Sequence, residues 1–438
     1  MPLGRLVRGY LKINVLYKTG AAFVLGVILG FLLWWYDART GASMAERIAP
    51  YLAPFGTILV NMLKTVVIPI VFFSLIEGAS SLPLSKLGRV GGKVIGWYFA
   101  TSFFAAIFGV IIALLINPAK GAIADWSKIA EAFGEQAASI SAPSKGLVDV
   151  LVGMFANPFQ SLANGDFLPM IIFAILFGIA LRRAIETTEE AKERERLEVL
   201  LDVIHSIVRG VYKIVYWILE YAPIGVFALT TLNFGLYGPL IVGPYVKTVI
   251  GIVAGILCMI FIVYSGLVAS VGKTSPVKFF KGVREAMLTA FVIRSSAGTL
   301  PVTLKCAIEN LKVRRELASF SLPLGATINM DGVCIHLPMW VALGAGLFGI
   351  KLTAGTLFAM VIMTVLASIG AGGVPGGSLM LLFLILGVAG FNPTQTTIVI
   401  ALALGVNPIL DMFETMNNVT GDLACTYVVA KTEGLIEE

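Results

Sequence analysis

The chain has 438 residues, of which 58% are apolar and only 13% charged, and its mean hydropathy of +0.91 lies far outside the range of a water-soluble domain. Such a composition is expected of an all-α polytopic membrane protein with no soluble domain left over. The net charge of +6 sits mostly in loops between apolar runs, so it reads as membrane topology and argues against a nucleic-acid partner.

Apolar runs long enough to cross a bilayer recur near Ala21–Trp35, Ile58–Leu75, Val94–Ile116, Leu168–Leu181, Ile207–Leu219, Val249–Val271 and beyond. The first follows Arg5, Arg8, Lys12 and Lys18 and is not followed by a small-residue cleavage site, which predicts a retained span and a cytoplasmic N-terminus. Alternate loops agree: Lys86, Arg89 and Lys93 follow span two, Arg182 to Arg196 follow span four, and Lys273, Lys278, Lys281 and Arg284 follow span six. The stretch RRAIETTEEAKERERLE, Arg182 to Glu198, interleaves Glu with Arg and Lys at helical spacing and is expected to be a solvated helical connection. Ala119 to Lys145 is long enough for an external loop.

The four cysteines, Cys258, Cys306, Cys334 and Cys425, have no close pairing and read as buried small apolar residues. Neither histidine suggests a metal or a hydrolase. His205 falls on a helix face with no evident role, and His336 reads as a polar residue lining a cavity.

The C-terminal half breaks its apolar segments with small polar clusters: RSSAGTLP at Arg294–Pro301, GATINMDG at Gly325–Gly332 and SIGAGGVPGG at Ser368–Gly377. Non-helical backbone at membrane depth survives only inside protein or beside a wet cavity. Short segments flanking two such tips predict re-entrant hairpins, a pointer to a secondary transporter with inverted repeats. The alternative is glycine-kinked ordinary spans that pack tightly.

In LDMFETMNNVTGD, Asp411, Glu414, Thr415, Asn418 and Asp422 recur at i, i+3, i+4, i+7 and i+11, one polar stripe of a helix. An ionised carboxylate at membrane depth costs about 3 kcal/mol even on lenient scales, so the stripe needs a cavity, a cation or a partner. From Asp331 to Ala430 the chain sets four carboxylates against Lys351 alone. Hard oxygen ligands suit Na⁺-like or Ca²⁺-like ions, and cations that come and go are what a symporter uses.

NMDG at Asn329–Gly332, SSAGTLP at Ser295–Pro301, SIGAGGVPG at Ser368–Gly376 and NVTGD at Asn418–Asp422 resemble the motifs of the glutamate transporter family, the dicarboxylate/amino acid:cation symporters. LKTVVIPIVFFSLIEG and YAPIGVFAL extend the resemblance from about Tyr17 to Lys431, and the prokaryotic sodium/aspartate symporters are similar. The resemblance implies eight transmembrane helices plus two re-entrant hairpins, a homotrimer in the cell membrane with both termini cytoplasmic, and an elevator mechanism. It also implies a division of the chain. Residues 1–85 (spans one and two) and 118–232 (spans four and five) would form a scaffold. Residues 86–117 (span three) and 233–438 would form the transport domain, with span six, a first hairpin at 276–308, span seven, a second hairpin at 352–392 and span eight.

By the same resemblance, two to three coupling Na⁺ ions are held by oxygen ligands. Asp422 shares one ion with Asn329 and the Gly325 and Asn418 carbonyls. Tyr98, Thr101 and Ser102 serve a deeper ion beside Asp331. Thr327, Ser368, Ile369 and Ala371, the last standing where a Thr is common, surround a third. Asp411 matches the carboxylate that takes a substrate α-ammonium, and Asn418 with the hairpin tip Arg294, Ser295, Ser296 and Ala297 matches the α-carboxylate site. Met330, Val374, Gly376 and Thr415 complete the pocket.

This chain then departs from the family. Glu414 stands where acidic-amino-acid carriers have an Arg, Val333 replaces a Thr, and Ser378 a common Gly. Opposite charges about 4 Å apart are worth about 4 kcal/mol at an effective dielectric of 20, and the repulsion of a like charge is of similar size. The exchange therefore orders the substrates as a cationic amino acid, then a neutral polar one, then an acidic one. Arg294 could instead neutralise Asp411 or Glu414. Coupling to Na⁺ is expected, although protons and a substrate-gated anion channel stay open; Leu337 stands where proton-coupled members tend to have a Glu.

Overall fold

The computed structural model describes residues 15–80, 88–119, 152, 155–164, 167–369 and 376–437. The expected external loop beyond residue 119 and the tip at 370–375, with Ala371 and Val374, lie outside the described residues.

Among the described residues the secondary structure is helical, with one isolated bridge between Val313 and Ile436. In chain order the helices are α1 (Val15–Thr40), α2 (Met44–Ser80), α3 (Gly88–Ile116), α4 (Pro158–Asn164), α5 (Phe167–Thr187), α6 (Ala191–Tyr237) and α7 (Pro239–Cys258). A π-helical turn (Met259–Val263) joins α7 to α8 (Tyr264–Ser270). Then come α9 (Pro276–Ile293), α10 (Ser296–Lys305), α11 (Arg315–Ile328), α12 (Asp331–Phe348), α13 (Ala354–Ser368), α14 (Gly377–Val388) and α15 (Pro393–Thr432). Among the described residues seven continuous helical stretches are long and apolar enough to cross a membrane, and α13 and α14 are shorter apolar helices.

The helices outrun the apolar runs that announce them. α6 takes in the charged connection and the fifth span as one helix, because Glu, Arg and Lys are good helix formers whose interleaved signs support it. Lys18, which the sequence places with the basic N-terminal flank, is instead buried against Glu220 of α6. His205 also has a partner, Glu77 on α2.

Outer and inner layers differ in burial. Along the apolar window of α1 only 17% of residues are buried, against 89% for α11 with α12 and 72% for α15, so the polar stripe lies on an inner helix. α1 and α2 pack mainly on α6, whereas α12 is covered by α3, α7 and α15. Glycine makes the outer packing close: a Cβ on Gly30 would meet the Thr231 carbonyl at 2.7 Å.

Two of the three predicted interruptions fall among the described residues, and both occur where the sequence puts them. α9 ends on Arg294 in the left-handed region (φ 58), and α10 is capped by Ser295, whose Oγ accepts the Gly298 N–H at 3.0 Å. Asn329 and Met330 leave helical geometry between α11 and α12. The freed backbone is satisfied within the protein, as the Gly332 N–H donates to Asn418 Oδ1 at 2.8 Å.

Candidate functional site

Two clusters lie along α15. The deeper one forms where the α11–α12 break meets α3, the π turn and the NVTGD stretch. Asp331 and Asn329 have no exposed surface, and Asp422 is 1% exposed. Ser102 donates to Asp331 Oδ1 at 2.6 Å and Tyr264 to Oδ2 at 2.7 Å. Asn329 donates through Nδ2 to Asp422 Oδ1 at 3.0 Å, while its Oδ1 accepts from Thr101 and Ser102 at 3.2 and 3.3 Å. Tyr98 donates to the Ser321 carbonyl at 2.9 Å and lies 3.2 Å from the Thr426 hydroxyl.

Close approach is built in at Gly325. A Cβ there would stand 2.5 Å from Asp422 Oδ1 and 2.8 Å from the Tyr98 hydroxyl, so only glycine lets the carboxylate sit against α11. Among the described residues no Lys or Arg forms an ion pair with Asp331 or Asp422. The ligands offered are hydroxyls, amides, carbonyls and carboxylates, a hard donor set.

Residues predicted for a third ion also converge. A Cβ on Gly78 of α2 would lie 3.3 Å from Ile369 Cγ2, 3.5 Å from the Ile369 carbonyl and 3.5 Å from Thr327 Cγ2. Thr327 Oγ1 donates to the Pro323 carbonyl and Ser368 Oγ to the Val365 carbonyl, so both hydroxyls are engaged by their own helices.

The shallower cluster holds the residues assigned to substrate. Asp411 Oδ2 accepts the Gly376 N–H at 3.2 Å, which sets a carboxylate at the N-terminus of α14. Gly376 occupies the left-handed region there (φ 81). Arg294, half-buried at the first tip, acts electrostatically on Asp411. Asn418 joins the two clusters by accepting from Gly332 and donating to the Met330 sulfur at 3.2 Å. Val333 and Ser296 are buried, as is Ser378, whose Oγ has no hydrogen-bond partner among the described residues. Ala297 is exposed and Ser295 half-buried. Thr415 Oγ1 donates to the Asp411 carbonyl at 2.8 Å, so its hydroxyl serves α15 itself.

Of the two partners left open for Arg294, Asp411 is the one it acts on, whereas Glu414 Oε1 contacts His336 Nδ1 of α12. One expectation is corrected. His336 does not line a cavity among the described residues. It is 1% exposed, and the Trp340 indole N–H donates to its Nε2.

Several participants went unnoticed in the sequence. Tyr264 reaches Asp331 from the start of α8, directly after a π turn that has no simple sequence signature. Asn417 donates to the Tyr264 hydroxyl at 3.3 Å, and a second amide at membrane depth beside Asn418 was the available signal. His336 and Trp340 stand at i and i+4, the spacing that puts two side chains on one helix face.

Known proteins bear on this geometry. The chain is 28% identical over 429 residues to a proton/sodium-glutamate symport protein of Geobacillus stearothermophilus, covering 98% of this chain and 96% of that one. It is 28% identical to human excitatory amino acid transporter 3, covering 96% of this chain and 86% of that one. The proton/glutamate-aspartate symporter of Escherichia coli K12 is 29% identical, covering 97% of this chain and 94% of that one. The model of the sodium:dicarboxylate symporter family matches residues 15–432, which include both carboxylate clusters and both interrupted tips. The chain is a multi-pass membrane protein and a symporter rather than an enzyme, and it belongs to the sodium:dicarboxylate symporter family.

Proposed function

We propose that the protein is a sodium-coupled symporter for an α-amino acid with a cationic or polar side chain. The carrying observation is the buried oxygen cage. Asp331 and Asp422 are both buried and are met by neutral donors alone, and the nearby Asn417 Oδ1 has no hydrogen-bond partner among the described residues. Two carboxylates so placed favour a desolvated monovalent cation. Na⁺ would be held by Asp422, Asn329 and the Gly325 and Asn418 carbonyls, and by Asp331 with Thr101, Ser102 and Tyr98. Thr327, Ser368 and Ile369 would serve a third ion.

Asp411 would receive the α-ammonium, and Asn418 with the α10 N-terminus the α-carboxylate. Glu414 then supplies negative charge, and Val333 no hydrogen bond, at the distal end. In the same reading the chain has eight spans and two re-entrant hairpins, forms a homotrimer, and moves residues 86–117 and 233–438 as an elevator against 1–85 and 118–232. Both termini are cytoplasmic.

The second reading is an acidic amino acid carried with sodium or protons, which the names of the relatives favour. Glu414 weighs against it, since a dicarboxylic substrate would meet a like charge. Uptake of a panel of radiolabelled amino acids into proteoliposomes, with Na⁺ or choline outside, separates the readings. Na⁺-dependent uptake of Lys, Arg or Ser above Asp is expected; aspartate uptake, or uptake indifferent to Na⁺, would overturn the proposal. A current without stoichiometric substrate flux would indicate a channel instead.

A further inference from the structure

The chain from α7 to α15 contains a buried polar relay. Tyr245 of α7 packs on Trp340 of α12 with ring centroids 6.1 Å apart, and Phe234 meets Tyr245 edge-on at 6.3 Å, so the indole is held by rings on its outer side. Trp340 has no exposed surface, His336 is 1% exposed and Glu414 2%. The indole N–H can only donate. Its contact is His336 Nε2, which must therefore be the unprotonated ring nitrogen, leaving the proton on Nδ1, the atom in close contact with Glu414 Oε1; neither of these two buried atoms has a hydrogen-bond partner elsewhere among the described residues.

We infer that His336 and Trp340 are positioning residues that hold Glu414 as an oriented anion and thereby set side-chain selectivity at the distal end of the substrate site. The inference rests on the proposed role of Glu414 as the group facing the substrate side chain. A second proton on the imidazole would have to sit on Nε2, where it would oppose the Trp340 N–H. The ring thus stays neutral while bonded to the indole, and it orients the Glu414 charge without cancelling it. Arg294 acts electrostatically on Asp411, and among the described residues it forms no ion pair with Glu414. The relay therefore leaves one net negative charge in the shallow cluster, available to a substrate cation through the other Glu414 oxygen.

The chain contains two histidines, which makes a direct test practical. Full-length protein with ¹⁵N-labelled histidine, reconstituted in lipid, is compared with His205→Asn to assign the signals. His336 is expected as the neutral Nδ1–H tautomer from about pH 5 to 8. Trp340→Phe keeps the ring and removes the donor, so the ¹⁵Nε2 signal of His336 should then shift to that of an unprotonated nitrogen that accepts no hydrogen bond. In the same variant, the preference for lysine over serine in competition binding should fall about tenfold, with Na⁺ dependence unchanged. His336→Leu should lose the preference as well, and His336→Gln, which keeps an N–H toward Glu414, should restore most of it.

An Nε2–H or doubly protonated His336 in the unaltered protein would overturn the inference, as would a lysine-to-serine ratio unmoved by Trp340→Phe and His336→Leu. The wild-type spectrum decides the tautomer even if a variant fails to fold. Wild-type protein that selects aspartate while showing the expected tautomer would instead sink the proposed function and leave the tautomer assignment standing.

Discussion

The two carboxylate clusters share α15, yet they are built on different principles. Around Asp331 and Asp422 every hydrogen-bond donor among the described residues is neutral, and the groups come from α3, α8, the α11–α12 break and α15. Around Asp411 and Glu414 the partners are a helix N-terminus, a nearby guanidinium and an imidazole. A cage of neutral oxygens leaves its negative charge to be answered by a mobile ion, whereas charged and dipolar partners shape a field that discriminates among ligands. In the proposed reading, ion coupling and substrate choice thus sit a few helical turns apart on one element.

The sharpest test removes charge from the cage. Asp422→Asn keeps the shape but halves the carboxylate count, and breaking a buried charge–cation partnership costs about 3 to 5 kcal/mol. Na⁺-driven substrate binding should weaken by at least two orders of magnitude by calorimetry, roughly the equivalent of 3 kcal/mol. Affinity that survives, or that never depended on Na⁺ in the unaltered protein, would erase the distinction between the clusters.

Asp411→Asn addresses the shallow cluster. If that carboxylate pairs with an α-ammonium, substrate affinity should fall by about 2 kcal/mol or more while Na⁺ binding without substrate is retained. Equal loss of both would mean that the clusters act as one site.

Gly325→Ala probes the cage by volume instead of charge. Its Cβ would stand 2.5 Å from Asp422 Oδ1, so the carboxylate or α11 must shift, at a cost of about 1 to 3 kcal/mol. Thermal stability should drop, and the Na⁺ concentration giving half-maximal binding should rise with little change in side-chain preference. An unchanged Na⁺ dependence would show that Asp422 can retreat without consequence.

What the sequence discloses follows the same division. Interrupted helices are legible because glycine, serine and proline at membrane depth cannot be accounted for otherwise, and the carboxylates because their cost there is large. Asn329, Asp331 and Asp422 stand out for that reason, and the resemblance of the motifs around them is what suggests an ion there. The partner of Glu414 could not be named, because which face of α12 meets α15 depends on packing, and His336 is far from Glu414 in sequence. Tyr264 was hidden for a related reason: the π turn adds a residue and rotates the following ring inward, which a 3.6-residue period does not anticipate.

The smallest expected effect lies just beyond the end of α15, where charge meets water. Glu433 follows the helix and is held by Lys93, with Arg89 of the same α3 terminus 3.4 Å away. The hydrogen bond from Lys93, then the charges of Arg89 and Lys93, lower its pKa from the ordinary 4.5. A depressed carboxylate pKa favours the folded state while the group is ionised. The contribution is therefore complete above the unfolded value and fades as pH falls through the lowered one. Glu433→Gln should lower the melting temperature slightly at neutral pH, less so in high salt, and the gap to the unaltered protein should close below about pH 4. Such salt sensitivity is expected only of the exposed pair, since the charges of the two buried clusters are shielded from mobile ions by the helices around them. A gap that persists at low pH would mean that Glu433 contributes through packing of the Leu435–Ile436 segment against Val313 and not through charge.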